Sequence, residues 1–301
     1  MSKNLAASVL GRLKNISKEL ELPYNLVLQL FVQERLLYRL SQTEYKDNFL
    51  LKGGLLLYSM TEFKGRPTKD IDFLLRGQSN KVENIEKIIK KIAEVEVSDG
   101  VSFKSNEIKS QTITEGAEYK GQRLKLIALI GQARIHLQID IGLGDIVVPE
   151  AVKIKYPSML DFDQPNINAY SLETVIAEKF EAMVSLALLN SRMKDFYDIN
   201  SLMVKKDYSG NLLKQAVQQT FDNRKTSFDK ELIIFSDDFK NNQQKIKQWR
   251  LFLKRINKDD ISFRYVIENI TNFLKPVYDA IYNNDKFNYQ WKCQSQKWIK
   301  N

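Results

Sequence analysis

The chain is poor in the residues from which many sites are built: one cysteine, one histidine and six prolines among 301 residues. The lone Cys293 excludes an intramolecular disulfide framework and fits a reducing compartment. With His136 alone, a histidine-built metal cluster is excluded and a Ser-His-Asp triad is disfavoured. No stretch approaches the roughly 18 consecutive apolar residues of a membrane span. Residues 1–18 are repeatedly interrupted by charge, unlike the apolar core of a signal peptide. Internal repeats and low-complexity tracts are also missing. These absences lead us to expect a cytoplasmic protein with no membrane partner.

What is present is an ordinary globular composition, 43% hydrophobic and 28% charged. The length allows a substantial core and two domains. Lysine and arginine exceed the acids, giving a net charge of +9. Such a balance favours polyanionic partners through counterion release, although a lysine-rich surface is also simply soluble.

Residues 4–45 carry helical spacing, with Pro23 marking a break. Residues 50–60 read as an apolar helix opened by Gly53-Gly54, 68–75 as a strand and 82–95 as an amphipathic helix. From 101 to 148 the period changes to two. Three antiparallel strands are expected there, over 101–112, 117–129 and 133–141, with turns at Glu115-Gly116 and Gly131-Gln132. On the last strand Ile135, Leu137, Ile139 and Ile141 share one face, and His136, Gln138 and Asp140 the other. After Pro149 strand signals nearly vanish and helical patterns dominate. The expectation is an α+β fold with a mixed or antiparallel sheet, packed helices and a large C-terminal helical region. We expect domains over 1–150 and 151–301.

Residues 52–73 carry the chemistry. A strand places Asp70 and Asp72 on one face, where two carboxylates repel each other unless a cation joins them. Mg²⁺ is the hard cation that oxygen ligands favour. Gly53 and Gly54 offer backbone N–H groups to an anion. Arg66 and Thr68 add a cation and a hydroxyl, and Asp140 adds a third carboxylate from a separate strand. A lone Asp-x-Asp is commonly just a solvated strand end, so the combination matters more than any member.

This pattern resembles the minimal nucleotidyltransferase fold of the polymerase-beta superfamily. Downstream, Glu178-Lys179 in an apolar helix and the run Arg192-Met193-Lys194-Asp195-Phe196-Tyr197-Asp198 resemble the AbiEii/AbiGii abortive-infection toxin family of type IV toxin-antitoxin systems. The ordered match spans Lys52-Gly53-Gly54, Arg66-x-Thr68-x-Asp70-x-Asp72, Asp140, Lys179 and the Arg-x-Lys-Asp-x-x-Asp run. Gly54 stands where more distant superfamily members carry serine, so a hydroxyl contact to the triphosphate is missing at that position.

The resemblance implies an NTP-dependent nucleotidyltransferase toxin, often encoded beside an antitoxin, with relatives that modify the 3′ end of tRNA. It implies two Mg²⁺ ions, with Mn²⁺ as a substitute, held by Asp70, Asp72 and Asp140; such ions sit about 3.5–4 Å apart. Asp140 would serve the ion nearest the attacking hydroxyl and act as base. Lys179 would meet the β- or γ-phosphate, oriented by Asp195. Lys52, Gly53, Gly54, Arg66, Thr68, Arg192, Lys194 and Asp198 complete the nucleotide-binding set. Without the resemblance, the 192–198 run reads as a surface ion-pair array. A basic segment (Lys245, Lys247, Arg250, Lys254, Arg255, Lys258) with nearby Trp249, Phe252 and Tyr265 suits an RNA acceptor. An equally available reading is an apolar stripe with a solvated basic face. Three other functions fit the same residues: transfer to a small molecule such as an antibiotic, kinase-like transfer to a partner, and a non-catalytic RNA- or protein-binding module.

Overall fold

The computed structural model describes residues 3–61, 63, 65–115, 119–258 and 260–300. Two compact units emerge: Met1–Asp145 with Ala151–Tyr170, and Ile146–Glu150 with Ser171–Asn301.

The first unit opens with helices α1 (Lys3–Glu19) and α2 (Tyr24–Ser41), separated at Pro23, whose ring sits at the N-cap of α2. Strand β1 (Phe49–Lys52) leads directly into the short helix α3 (Gly53–Ser59), and β2 (Asp70–Leu75) returns beside it. Helix α4 (Val82–Ala93) buries Ile85, Ile88, Ile89 and Ile92, the i, i+3, i+4, i+7 stripe of a helix lying on a core. Then come β3 (Val101–Phe103), β4 (Lys109–Glu115), β5 (Tyr119–Ile130) and β6 (Ala133–Leu143), followed by β7 (Val152–Lys155) and β8 (Asn166–Ala169). The eight strands form one mixed sheet in the order β3-β5-β6-β2-β1-β8-β7, with β4 also paired to β5. The β2–β6 and β1–β8 pairs are parallel, and the others antiparallel. The fold is therefore α+β, as the change of period indicated.

Three departures concern the strands; in the first, the single strand expected over 101–112 is divided into β3 and β4 by a 3-10 turn at Ser105–Glu107. The apolar helix expected over 50–60 is opened by Gly53-Gly54 as expected, but residues 50–52 belong to β1, and the φ of +67° at Gly53 lets the chain turn from strand to helix. Strands β7 and β8 lie beyond Pro149, where strand signal was nearly absent; both are four residues long. The turn expected at Glu115-Gly116 falls at Gly116 outside the described residues.

Buried charge ties α2 into this unit. Asp99 is fully buried and accepts from Arg35 Nε at 2.8 Å and from Arg39 Nη1 at 2.7 Å and Nη2 at 3.1 Å. Burial pushes the Glu34 carboxyl up, against hydrogen bonds from Met159 N–H and the Ser158 hydroxyl that favour its charged form. Also on α2, Gln29 and Gln33 both donate to the carbonyl of Lys69, at 2.7 and 2.8 Å. They fix the backbone just before Asp70.

The second unit is mainly helical: α5 (Leu172–Leu186), α6 (Met193–Met203), α7 (Gly210–Asn223), α8 (Asp237–Lys240), α9 (Gln243–Arg255) and α10 (Phe263–Tyr282). Strands β9 (Tyr208–Ser209), β10 (Tyr289–Lys292) and β11 (Lys297–Lys300) form a small sheet. Ser171, Ser209, Ser236, Asn242 and Ser262 each cap a helix by accepting the N–H of the residue three positions on. Phe180, Phe196, Phe221, Phe273 and Tyr278 fill this core, whereas Tyr265 and Tyr282 are exposed. Trp249 and Trp291 are buried and donate to the Ile261 and Met203 carbonyls, and Trp298 stacks on Phe273 with centroids 5.7 Å apart. Among the described residues, no helix is long and apolar enough to cross a membrane.

Candidate active site

The half-exposed face of β2 carries Asp70 and Asp72, while Ile71 and Phe73 point into the core. Parallel pairing sets Asp72 opposite Asp140 and Asp70 opposite Gln138. Antiparallel pairing sets Lys52 opposite Asp72 and Arg123 opposite Asp140. One row across β1, β2, β6 and β5 therefore reads Lys52, Asp72, Asp140, Arg123: two acids flanked by two cations.

Both cations have carboxylate partners. Arg123 grips Asp140 through both oxygens, Nε to Oδ1 at 2.8 Å and Nη2 to Oδ2 at 2.7 Å. The bond to Asp140 outweighs the cost of partial burial, and with the added pull of Asp70 and Asp72 it raises the Arg123 pKa above its ordinary value. Gln138 Nε2 lies 3.3 Å from the same Asp140 oxygen. Lys52 Nζ donates to the buried Asp145 at 2.7 Å, with the Tyr170 hydroxyl at 3.5 Å. The repulsion between Asp70 and Asp72 inferred from sequence is thus already moderated by Arg123, a residue that inference missed. Hairpin counting would have found it, since equal steps away from the Gly131-Gln132 turn lead to Asp140 on one strand and Arg123 on the other.

The glycines crowd the same place. A Cβ on Gly53 would lie 2.1 Å from Asp72 Oδ2, and one on Gly54 would lie 3.0 Å from Thr68 Cβ and 3.4 Å from Arg66 Nη2. A Cβ at position 54 would be a tight fit that makes the Thr68 and Arg66 side chains give way by a few tenths of an ångström. The Thr68 hydroxyl lies 3.2 Å from that Cβ position. A hydroxyl is therefore present beside Gly54, supplied by Thr68. Lys52, Gly53, Gly54, Arg66, Thr68, Asp70, Asp72 and Asp140 thus gather at one end of the sheet, joined by Arg123 and Asp145. His136, on the polar face of β6 two residues before Gln138, is exposed.

Among the described residues, no three His, Cys, Asp or Glu side chains form a ready-made metal cage. The donor set still suits Mg²⁺, which takes one or two carboxylates and fills its octahedron with water and phosphate oxygens. A guanidinium resting against Asp140 and drawn to Asp70 and Asp72 shows that this corner attracts a cation.

The other expected residues form a cluster in the second unit. Lys179 on α5 donates to Asp195 Oδ1 at 2.7 Å and Asp198 Oδ2 at 2.9 Å, and Arg192 Nε lies 2.8 Å from Asp195 Oδ2. Burial alone would lower the Lys179 pKa, but the two carboxylates outweigh it and raise it. Burial would likewise raise Asp195, but the charges of Lys179 and Arg192 hold its carboxyl below the ordinary value. Asp195 and Asp198 are buried, so this is no surface ion-pair array; Lys194 is exposed. In the basic segment, Lys247, Arg250, Lys254, Arg255 and Lys258 are exposed. Lys245 is buried and donates to the Asn190 carbonyl, with desolvation lowering its pKa, and so leaves the basic face. Trp249 and Phe252 are core residues, which leaves Tyr265 as the exposed aromatic of that group.

The family model described as "Nucleotidyl transferase AbiEii toxin, Type IV TA system" matches residues 35–282. Among solved structures, a candidate nucleotidyltransferase from H. pylori is similar at 12% identity and a TM-score of 0.47, covering 86% of this chain and 98% of its own. JHP933 from Helicobacter pylori is similar at 10% identity and a TM-score of 0.47, covering 86% and 94%. Among proteins of curated function, none matches.

Proposed function

The chain belongs to the AbiEii family of nucleotidyltransferase toxins of type IV toxin-antitoxin systems, and from that premise we propose that it transfers a nucleoside monophosphate from an NTP to RNA, with the 3′ end of tRNA as acceptor. The observation that carries this reading is the cross-strand alignment of Asp72 with Asp140, with Asp70 on the same face of β2. Aligned carboxylates of this kind suit a reaction in which charge on a polyphosphate must be neutralised and an attacking hydroxyl placed in line.

Asp70 and Asp72, with Asp140, would hold Mg²⁺, which when bound supplies charge neutralisation at the reacting phosphate and lowers the pKa of a coordinated hydroxyl. The chain's own residues do the positioning. Gly53 lets backbone approach where any side chain would collide with Asp72, and Gly54 keeps the contact with Thr68 uncrowded. Arg66 and Thr68 present a guanidinium and a hydroxyl to the nucleotide beside Gly54. A carboxylate of the acidic trio accepts the proton of the attacking 3′-hydroxyl. Lys179, gripped by Asp195 and Asp198, is assigned to the polyphosphate on the family motif. The exposed cations of α9 suit an RNA acceptor better than a cationic small molecule. A cognate antitoxin is the expected protein partner.

The test incubates the purified chain with Mg²⁺, total tRNA and each NTP labelled at the α-phosphate. Label in the tRNA, abolished by Asp70→Asn without a change in melting temperature, is the expected result. In a parallel incubation with NTP labelled at the γ-phosphate, label reaching protein without any from the α-phosphate would establish kinase-like transfer instead, and full transfer by Asp70→Asn would remove the carboxylate assignment.

A further inference from the structure

We propose that Arg123 is the resident counter-ion of the acidic cluster and competes with a divalent cation for Asp140. The inference rests on the metal-binding reading above, yet it concerns a residue outside the sequence motifs that led to that reading.

The geometry gives the competition its form. The guanidinium occupies both oxygens of Asp140, the fork-on-fork arrangement that arginine makes best. A cation needing a full share of either oxygen must loosen that grip. The Arg123 side chain is 32% exposed, so its charge can swing toward water without being stranded in the core. Asp140 also keeps a neutral neighbour, Gln138 Nε2, that can hold one of its oxygens after the guanidinium leaves. The backbone of Arg123 cannot follow the side chain, because β5 is paired with β6 on one edge and with β4 on the other at this position. The displaced charge therefore stays close enough to return when the metal departs.

A protein whose metal-ready form is only partly populated binds metal more weakly, in proportion to that population. Arginine stays charged across the working pH range, so the competition is not relieved by raising pH. Removing Arg123 should therefore strengthen metal binding even while it deletes a salt bridge, the reverse of what removing a merely structural bond would do.

The experiment is titration of the full-length chain with Mn²⁺, without nucleotide, followed by electron paramagnetic resonance of the free ion. Arg123→Gln should bind Mn²⁺ about tenfold more tightly than the native chain, at the lower end of ordinary coupling between two ligands. The gain should vanish when Arg123→Gln is added to Asp140→Asn, because the competition is at Asp140. Equal or weaker binding by Arg123→Gln overturns the proposal, as does a gain that survives in the Asp140→Asn background. Absence of a specific Mn²⁺ site in every variant, including the native chain, overturns this inference and the metal reading beneath it. Where metal binds but the labelling assay gives no transfer, the functional reading fails while this inference stands. Should Arg123→Gln not fold, nitrogen NMR of the native chain decides, with the Arg123 Nε–Hε signal assigned from Arg123→Lys. That signal should move as Mg²⁺ saturates the site, and a signal that stays put while Mg²⁺ binds overturns the proposal.

Discussion

Gly53 and Asp72 are sterically exclusive partners: a methyl group on the glycine would stand 2.1 Å from the aspartate's Oδ2. The glycine also holds a φ of +67°, which costs an L-residue about 1–2 kcal/mol. Gly53→Ala should therefore lose about that much stability in urea denaturation and lose nucleotide transfer, because Asp72 must leave its place. Gly11→Ala is the matched control. It sits within α1 with nothing within 4 Å of the new methyl, and should stabilise by about 1 kcal/mol. Full transfer by Gly53→Ala would show that the position of Asp72 is not critical.

Gln33 supports the site from behind. Its Nε2 donates to the Lys69 carbonyl at 2.8 Å, next to Asp70, and the residue is fully buried. Gln33→Leu should cost about 1 kcal/mol for the lost buried hydrogen bond, with Gln29 keeping the carbonyl partly satisfied. Since the change loosens the backbone that aims Asp70, we expect kcat to fall more than KM rises. Steady-state kinetics of both Gln29→Leu and Gln33→Leu checks this, with the larger loss at the buried position.

Lys179 neutralises two buried carboxylates, and the pH dependence follows from the direction of each shift. The raised pKa of Lys179 means its stabilisation is complete below the ordinary value of 10.5 and is lost as pH rises through the higher folded value. Asp195, with its pKa lowered, contributes stability above its ordinary 3.8 that is lost as pH falls through the folded value. Between about pH 5 and 9 the native cluster should thus add almost no slope. Lys179→Met leaves the carboxylates facing each other without that cation, at a cost of about 3–5 kcal/mol at pH 7. Protonation relieves the repulsion, so the variant should gain more stability from pH 7 to pH 5 than the native chain, in which the raised Glu34 carboxyl contributes the same gain to both. Urea denaturation at the two pH values measures the difference. Lys179→Arg keeps the charge, so lost transfer with retained stability in that variant would place Lys179 on the substrate.

Much of this architecture is legible in the amino-acid pattern alone. The alternation in β6 places Ile135, Leu137, Ile139 and Ile141 inward, and all four are buried. Period two likewise puts Asp70 and Asp72 on one face. Strand β1 is hidden because a buried strand running into a helix makes one apolar run, which periodicity cannot divide. Strands β7 and β8 are too short for alternation to accumulate a signal. Arg123 is recoverable from the hairpin register, but a lone arginine in a strand draws no notice until its cross-strand partner is counted. Lys245 cannot be separated from its basic neighbours: its burial comes from the approach of the Asn190 turn, which local sequence does not encode.

The acceptor-binding surface can be tested on α9, which has no acidic residue in its first turn and ends on Lys254 and Arg255. Lys247, Arg250 and Lys254 are exposed and fall at i, i+3 and i+7, so they share one side of the helix. The buried side of α9, Lys245, Trp249, Phe252 and Leu253, holds the helix to its unit and is left untouched. Replacing the three exposed cations by glutamate should therefore leave the melting temperature within a degree or two and metal binding unchanged. If these side chains meet RNA phosphates, affinity must depend on released counterions. The slope of log K against log salt should then become shallower by about 0.7 for each single-strand phosphate that is no longer neutralised. Filter binding of tRNA across a salt series reads this slope directly, and replacing Lys258 alone, beyond the helix, gives the single-charge comparison. An unchanged slope together with unchanged affinity would move the RNA surface away from α9, and the aromatic residues then offer little alternative there, because Trp249 and Phe252 are already committed to the core.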